Sequence, residues 1–250
     1  MIALLIDLLG FVASGVLFVV LVLLVRGPIR RFKLLFAYVT WEFLASLALT
    51  IADKLYNGSG TLTPNSSASQ HPQPGQATFI YSHIYWTNDV LVDLLRFLVV
   101  ISFTYRAVAN GPIRVALGRL LAGLLLVVIG LPFVLYHPRF TPWPQNTWFN
   151  STSQLLNFGA AIMNLVLWGT LIASKQRDRQ LLTVSTGLGV VVTGAAISYG
   201  LAYFIPLGAF RTVYQLFLML TQIAGWLIWC RAFWPPKVMQ SAPSGALTSP

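Results

Sequence analysis

The chain has 250 residues, of which 56% are hydrophobic and only 9% charged. A soluble domain carries about a quarter charged residues, so this composition excludes an ordinary soluble enzyme or binding module and points to the membrane. The formal net charge of +10 suggests nucleic acid in a soluble protein; here its placement along the chain argues for membrane topology instead, and no nucleic-acid partner is expected.

Seven apolar segments follow one another: Ile2–Val25, Leu34–Ala52, Phe79–Tyr105, Leu117–Tyr136, Ser153–Ala173, Leu182–Phe204 and Thr212–Phe233. Each is about 20 residues long, enough to cross a hydrocarbon core about 30 Å thick at about 1.5 Å per residue. The expected fold is therefore all-α, an integral membrane bundle of seven transmembrane helices. Residues 1–234 are expected to form one domain and the Pro/Ser-rich stretch 235–250 a disordered cytoplasmic tail.

The first segment has no basic residue before it, whereas a cleaved signal peptide carries a basic stretch at its start. Arg26, Arg30, Arg31 and Lys33 come after it. Arg106, Arg114 and Arg119 lie between the third and fourth segments, Lys175, Arg177 and Arg179 between the fifth and sixth, and Arg231 and Lys237 after the seventh. Twelve of the sixteen basic residues thus fall on one side, against Lys54, Arg139 and Arg211 on the other. The positive-inside rule then places the N-terminus outside and the C-terminus in the cytoplasm. The expected location is the cell membrane, plasma or inner, with the bilayer as the first partner.

The connection at 54–78 is rich in Gly, Ser, Pro, Asn and Gln, with too little apolar surface to pack, and is read as a flexible outer loop. Asn57, Asn65 and Asn150 stand in N-x-[ST] sequons on the expected outer side, where such loops produce sequons by composition alone. Thr141–Phe149 is a shorter aromatic loop that lies on the interface or caps the bundle.

The third segment departs from the apolar pattern, because Asp89, Asp93 and Arg96 lie well inside it. A charge at that depth costs roughly 2.5–3.5 kcal/mol on insertion scales, so it needs a partner. Asp89 and Asp93 are four apart and share a helix face, and Arg96 follows three beyond. Arg96 sits about eight residues, roughly 12 Å, from the inner end of its helix, and Glu42 in the second segment sits at a matching depth. Sequential helices are usually neighbours, so Glu42 and Arg96 are expected to meet, with Asp93 a turn above.

Three carboxylates against one guanidinium leave a double negative charge. Either carboxyl groups carry protons or a cation occupies the site. Asp89, farthest from Arg96 and next to Asn88, is the expected unpaired member. Two readings follow: a proton-, cation- or amine-responsive site, or a Glu42–Arg96–Asp93 clamp that only holds helices together.

Around this cluster, His83, Tyr85 and Trp86, with Tyr81, His137, Tyr199, Tyr203, Arg211 and Tyr214, line an outer pocket or form an interfacial aromatic belt. No metal site is expected, since His83 and His137, with no close carboxylate motif, and the single cysteine, Cys230, make no ligand set. Asn157, Asn164, Gln215 and Gln222 are read as interhelical hydrogen-bonding groups, and Gly187, Gly194 and Ser198 as a small-residue packing face.

The seven-helix, N-outside topology looks like that of a rhodopsin. The last segment, however, has no lysine for a chromophore, so no retinal cofactor is expected. Seven-helix membrane hydrolases require deep histidines, and none is deep here. Sugar-exporter-like proteins share the topology, but the Pro144–Gln145 pair lies in a loop rather than a helix. No HExxH or GxSxG motif is present, and the chain is read as a non-enzyme. The expected function is small-molecule binding or signal sensing, with output through a membrane protein partner. Proton- or cation-coupled transport, and a scaffold or assembly role, are the alternatives.

Overall fold

The computed structural model describes residues 2–57, 76–108, 112–135, 147–173, 178–204 and 210–234. Among them are seven helices: α1 (Ile2–Arg26), α2 (Lys33–Asn57), α3 (Gln76–Ala107), α4 (Pro112–Leu135), α5 (Thr147–Ala173), α6 (Arg179–Phe204) and α7 (Phe210–Phe233). Each expected apolar segment is one helix. The helices run past the segments at several ends: residues 54–57 and 76–78, expected in the flexible loop, are helical, and α5 starts at Thr147 rather than Ser153. Hydropathy marks the length that matches a bilayer, whereas a helix continues until a breaker or an unsatisfied end stops it. The remainder of the loop, at 58–75, and the tail at 235–250 lie outside the described residues.

Local chemistry accounts for the ends. Gly27 and Pro28 follow α1 directly, a pair that terminates helices because proline cannot continue one. Pro112 opens α4, where its missing N–H costs nothing. Asp178 caps α6, its Oδ1 accepting from the Leu181 N–H at 3.1 Å.

Among the described residues, five helical stretches are long and apolar enough to cross a membrane: Leu8–Arg26, Lys33–Ile51, Ser151–Ile172, Arg179–Leu201 and Val213–Phe233. The chain is a membrane protein by this measure, and its packing agrees. Large apolar side chains face outward, including Phe11 at 80% exposure and Leu126 at 73%, while Asp93, Arg96, Asn157, Asn164, Ser185 and Ser198 are buried. Water would reverse that arrangement; a hydrocarbon solvent permits it.

The helices form a ring in which α1 packs on α2 and α7, α2 on α3, α3 on α5, α5 on α6, and α6 on α7. Helix α3 touches α2, α4, α5 and α6, and α4 lies outside the ring against α5 and α3. The closest approach is between α6 and α7, made possible by facing glycines. A Cβ on Gly187 would lie 2.7 Å from the Gly225 carbonyl oxygen and 2.6 Å from Trp229 Cδ1, and one on Gly194 would collide with Thr221. The expected small-residue face of α6 therefore packs on α7.

At the basic end of the bundle Phe32, in the α1–α2 link, joins several elements. Its ring meets Phe103 of α3 at 5.7 Å and Phe233 of α7 at 5.6 Å, edge on. The Arg31 and Arg106 guanidiniums lie 5.5 and 5.6 Å from the same ring. Arg31 also pairs with Asp178 and donates to Gln180 Oε1 at 3.1 Å, tying the link to the start of α6.

This packing makes a paired prediction. Gly187→Ala is expected to destabilise the protein by about 1–3 kcal/mol through overpacking against Trp229 and Gly225. Gly123→Ala, with nothing within 4 Å of the added carbon, should be neutral or slightly stabilising. Thermal unfolding of the two variants in the same detergent distinguishes them; equal shifts would contradict the packing argument.

Candidate functional site

Helix α3 presents Asp89, Asp93 and Arg96 to its neighbours over about two turns. Arg96 is 4% exposed and Asp93 1%, so neither reaches bulk solvent, and their requirements are met locally. Arg96 Nη1 donates to Asp93 Oδ1 at 2.8 Å, Nη2 to Glu42 Oε1 at 3.5 Å, and Nε to the Tyr38 hydroxyl at 3.0 Å. The Glu42–Arg96–Asp93 group expected from depth matching is thus formed, with Asp93 holding the shorter contact.

Tyr38 is the member that sequence reasoning missed. It lies four residues before Glu42 on the same face of α2, a spacing that could have found it. Its ring also carries the Arg96 guanidinium at 5.6 Å. On its other side Tyr38 meets Trp229 of α7, rings 6.1 Å apart and nearly perpendicular. The Trp229 indole donates to the Val184 carbonyl of α6 at 2.9 Å. One line of contacts therefore runs from Arg96 through α2 and α7 into α6, and the Gly187–Gly225 approach makes room for its indole.

Asp89 lies one turn along α3 from Asp93, on the side away from Arg96. It is not paired with a cation among the described residues, yet it is not free. Tyr199 of α6 donates to its Oδ2 at 2.6 Å, and Ser153 of α5 does so more weakly at 3.4 Å. Tyr199 was expected in an outer aromatic pocket; it is instead a direct partner of Asp89. Asn88 does not assist Asp89 either. Adjacent helical residues point about 100° apart, and Asn88 turns to α2, where it accepts from Trp41 Nε1 at 3.0 Å.

Asn157 sits one turn from Ser153 on α5, matching the Asp89–Asp93 step on α3. It is 1% exposed and packs beside Asp93. Its Nδ2 donates to the Ser153 carbonyl of its own helix at 2.9 Å, and its side chain also bonds Asp93 of α3, the expected interhelical contact. Asn164 packs over Gly189 of α6.

Above Asp89, Tyr85 and Trp86 meet edge to face at 5.6 Å, and Trp86 stacks on Phe149 of α5 at 6.4 Å. The structure thus brings Glu42, Asp89, Asp93, Arg96, Tyr85 and Trp86 around one side of α3 and directs Asn88 elsewhere. His83 lies in α3, but its side chain is outside the described residues, as are His137, Tyr203 and Arg211. No group of three or more His, Cys, Asp or Glu residues stands together as a metal site among the described residues.

Chemically, the arrangement has two levels. The inner level, Glu42–Tyr38–Arg96–Asp93, is hydrogen-bonded, with Tyr38, Arg96 and Asp93 buried and Glu42 partly exposed. At the outer level Asp89 is only half-buried although α5 and α6 both reach it. A carboxylate in that position can accept hydrogen bonds from more than one neighbour, as it does from Tyr199 and Ser153. No family model matches the chain, and no curated protein or solved structure matches it either.

The two levels differ in expected mutational cost. Arg96→Leu strands two buried carboxylates and should destabilise the protein by about 3–5 kcal/mol. Arg31→Ala removes an ion pair whose side chains are 41% and 31% exposed, and should cost at most about 1 kcal/mol. Chemical or thermal unfolding of both variants in nanodiscs measures the difference; similar losses would show that the inner group is not held as described.

Proposed function

We propose that this chain is a seven-span integral membrane protein of the cell membrane that binds a small molecule, or senses a signal, at the acidic and aromatic site on α3. The observation that carries the reading is Asp89. It is a carboxylate retained inside an apolar bundle, enclosed by α5 and α6, and still accessible. A charged group in a membrane interior is costly and is most often functional. A purely architectural carboxylate would be expected to bury itself as completely as Asp93 does.

The aromatic surfaces of Tyr85, Trp86 and Phe149 give the approach to Asp89 the mixed apolar and polar lining that small-molecule sites use. Cationic or donor-rich ligands fit best, because a carboxylate attracts them and aromatic faces tolerate them. The inner group supplies the response. Arg96 links α3 to α2 and, through Tyr38 and Trp229, to α7 and α6. A charge arriving at Asp89 changes the field on Asp93 one turn away, and so the balance of Arg96 between Asp93 and Glu42.

A second reading is favoured by the same pair of carboxylates. Asp89 is accessible and Asp93 is dry, one turn apart, so they form two steps along which a transporter moves a proton or cation. In proteoliposomes that activity would appear as flux dependent on an ion or pH gradient and lost in Asp89→Asn.

Orientation follows from the basic residues, which place the ends carrying Arg31, Arg106 and Arg179 in the cytoplasm. In a Cys230→Ser background, an impermeant maleimide applied to intact cells is expected to label Ser59→Cys and not Arg30→Cys. The reverse pattern would invert the topology.

The binding reading is tested by thermal shift of the purified protein against a broad panel of metabolites, with organic amines included. At least one compound is expected to raise Tm saturably, and Asp89→Asn to abolish the shift while preserving the fold. No shift across the panel would leave the scaffold role as the better account.

A further inference from the structure

The basic end of the bundle holds charge that the chain does not balance. Its twelve Lys and Arg residues share one acidic residue, Asp178; the other acids, Asp7, Glu42, Asp53, Asp89 and Asp93, lie within the apolar segments or toward the opposite end. Asp178 is already committed. Its Oδ2 pairs with Arg31, and its Oδ1 caps α6 on the Leu181 N–H. Arg106 makes no ion pair among the described residues. Its Nη1 donates to the Arg31 carbonyl, and its other N–H groups face outward from an exposed side chain.

The two guanidiniums are nonetheless held together, both against the Phe32 ring. Burial first, and the Arg31 charge second, pull the Arg106 pKa below its ordinary value, as expected for a cation kept beside a like charge. The positive-inside rule accounts for the number of basic residues at this end. It does not account for two of them sharing one ring and one carboxylate. A second feature adjoins the pair. A cavity of about 230 Å³ lies between the end of α5 and the start of α6, lined by Leu171, Ile172 and Leu182 together with Asp178. Ile172 is 65% exposed and Leu182 36%, so the cleft opens on the bilayer side. Asp178 therefore joins an apolar cleft to the arginine pair.

We propose that Arg31 and Arg106, with the α5–α6 cleft beside Asp178, bind an anionic phospholipid of the cytoplasmic leaflet, its phosphate on the guanidiniums and an acyl chain in the cleft. Guanidinium forks match phosphate oxygens in geometry and charge. The headgroup supplies the negative charge that this end lacks, and the cleft supplies the apolar contact that a soluble phosphate could not use. Anionic lipids of that leaflet are the negative charges nearest to helix-end arginines. The site lies at the opposite end of α3 from Asp89 and does not depend on what Asp89 binds.

The test uses the full chain in a neutral detergent. A fluorescent phosphatidylglycerol is titrated and followed by anisotropy, and native mass spectrometry counts the lipid retained by the wild type, expected near one per chain. Phosphatidylcholine should compete roughly fivefold more weakly, and glycerol 3-phosphate, which lacks the chains, should not compete. Arg106→Gln and Arg31→Ala should each weaken binding roughly fivefold. Ile172→Trp, which fills the cleft without changing the charge, should weaken it as well. Arg26→Gln removes an exposed charge from α1, which packs on neither α5 nor α6, and should leave binding unchanged. Equal affinity for the two lipids, or equal loss in Arg26→Gln and Arg106→Gln, overturns the proposal, because the arginines would then act only as a diffuse field. Displacement by glycerol 3-phosphate overturns it in favour of a soluble phosphate ligand. Binding of a polyglutamate peptide where the lipid does not bind overturns it in favour of an acidic protein partner. The wild-type count needs no variant, and absence of retained phosphatidylglycerol overturns the proposal by itself.

Discussion

A guanidinium inside an apolar bundle must be neutralised within reach of its own side chain, and the architecture around Arg96 follows from that requirement. One carboxylate lies on its own helix, at Asp93, and one on the neighbour, at Glu42, with the Tyr38 hydroxyl taking the remaining direction. These contacts fix the rotation of α3 relative to α2. Asp89, seven residues before Arg96, lies on nearly the same face of α3 two turns away, where Ser153 of α5 and Tyr199 of α6 donate to it. The polar interior is therefore one connected arrangement rather than several separate hydrogen bonds.

Close packing between α6 and α7 serves the same arrangement from the other side. Gly187 and Gly225 let the two backbones approach, and the space over Gly187 is filled by the Trp229 indole. That indole both satisfies its N–H on Val184 and presses its edge or face against Tyr38. Small residues in a membrane helix allow dispersion contacts to accumulate where the hydrophobic effect provides no drive. Here they also position the aromatic ring that backs the Arg96 partner. At the basic end, Phe32 repeats the theme with Arg31 of its own link, Phe103 and Arg106 of α3, and Phe233 of α7.

Much of this was legible from residue spacing. The seven apolar stretches correspond one to one with helices because a hydrocarbon solvent allows few alternatives for a 20-residue apolar run. The meeting of Glu42 and Arg96 followed from equal depth on sequential helices, and the α6 glycine face from its repeated small residues. The readings that needed correction were those in which a residue had several possible directions. Asn88 was read as a candidate site residue next to Asp89, but the rotation per residue carries it to Trp41 instead. Tyr199 was read as part of an outer pocket or an interfacial belt; its hydroxyl donates to Asp89. Asn157 was expected to bridge helices; it reaches Asp93 of α3 and also bonds a carbonyl one turn back on its own helix.

By itself, the sequence determined the class of solvent, the number and order of the helices, and the need for the buried charges to find counter-charges. Those properties depend on composition, length and depth, which are sums along a line. Only the tertiary structure decided that α3 is the helix touched by four others, that α4 stands outside the ring, and that Tyr38, Ser153, Asn157 and Tyr199 are the hydrogen-bond partners of the charged residues on α3. Those properties depend on the rotation of each helix about its axis, which is set by all its neighbours at once. Asp89 shows the difference: its charge and depth can be read from the chain, but its half-buried place between α5 and α6 belongs to the packed bundle.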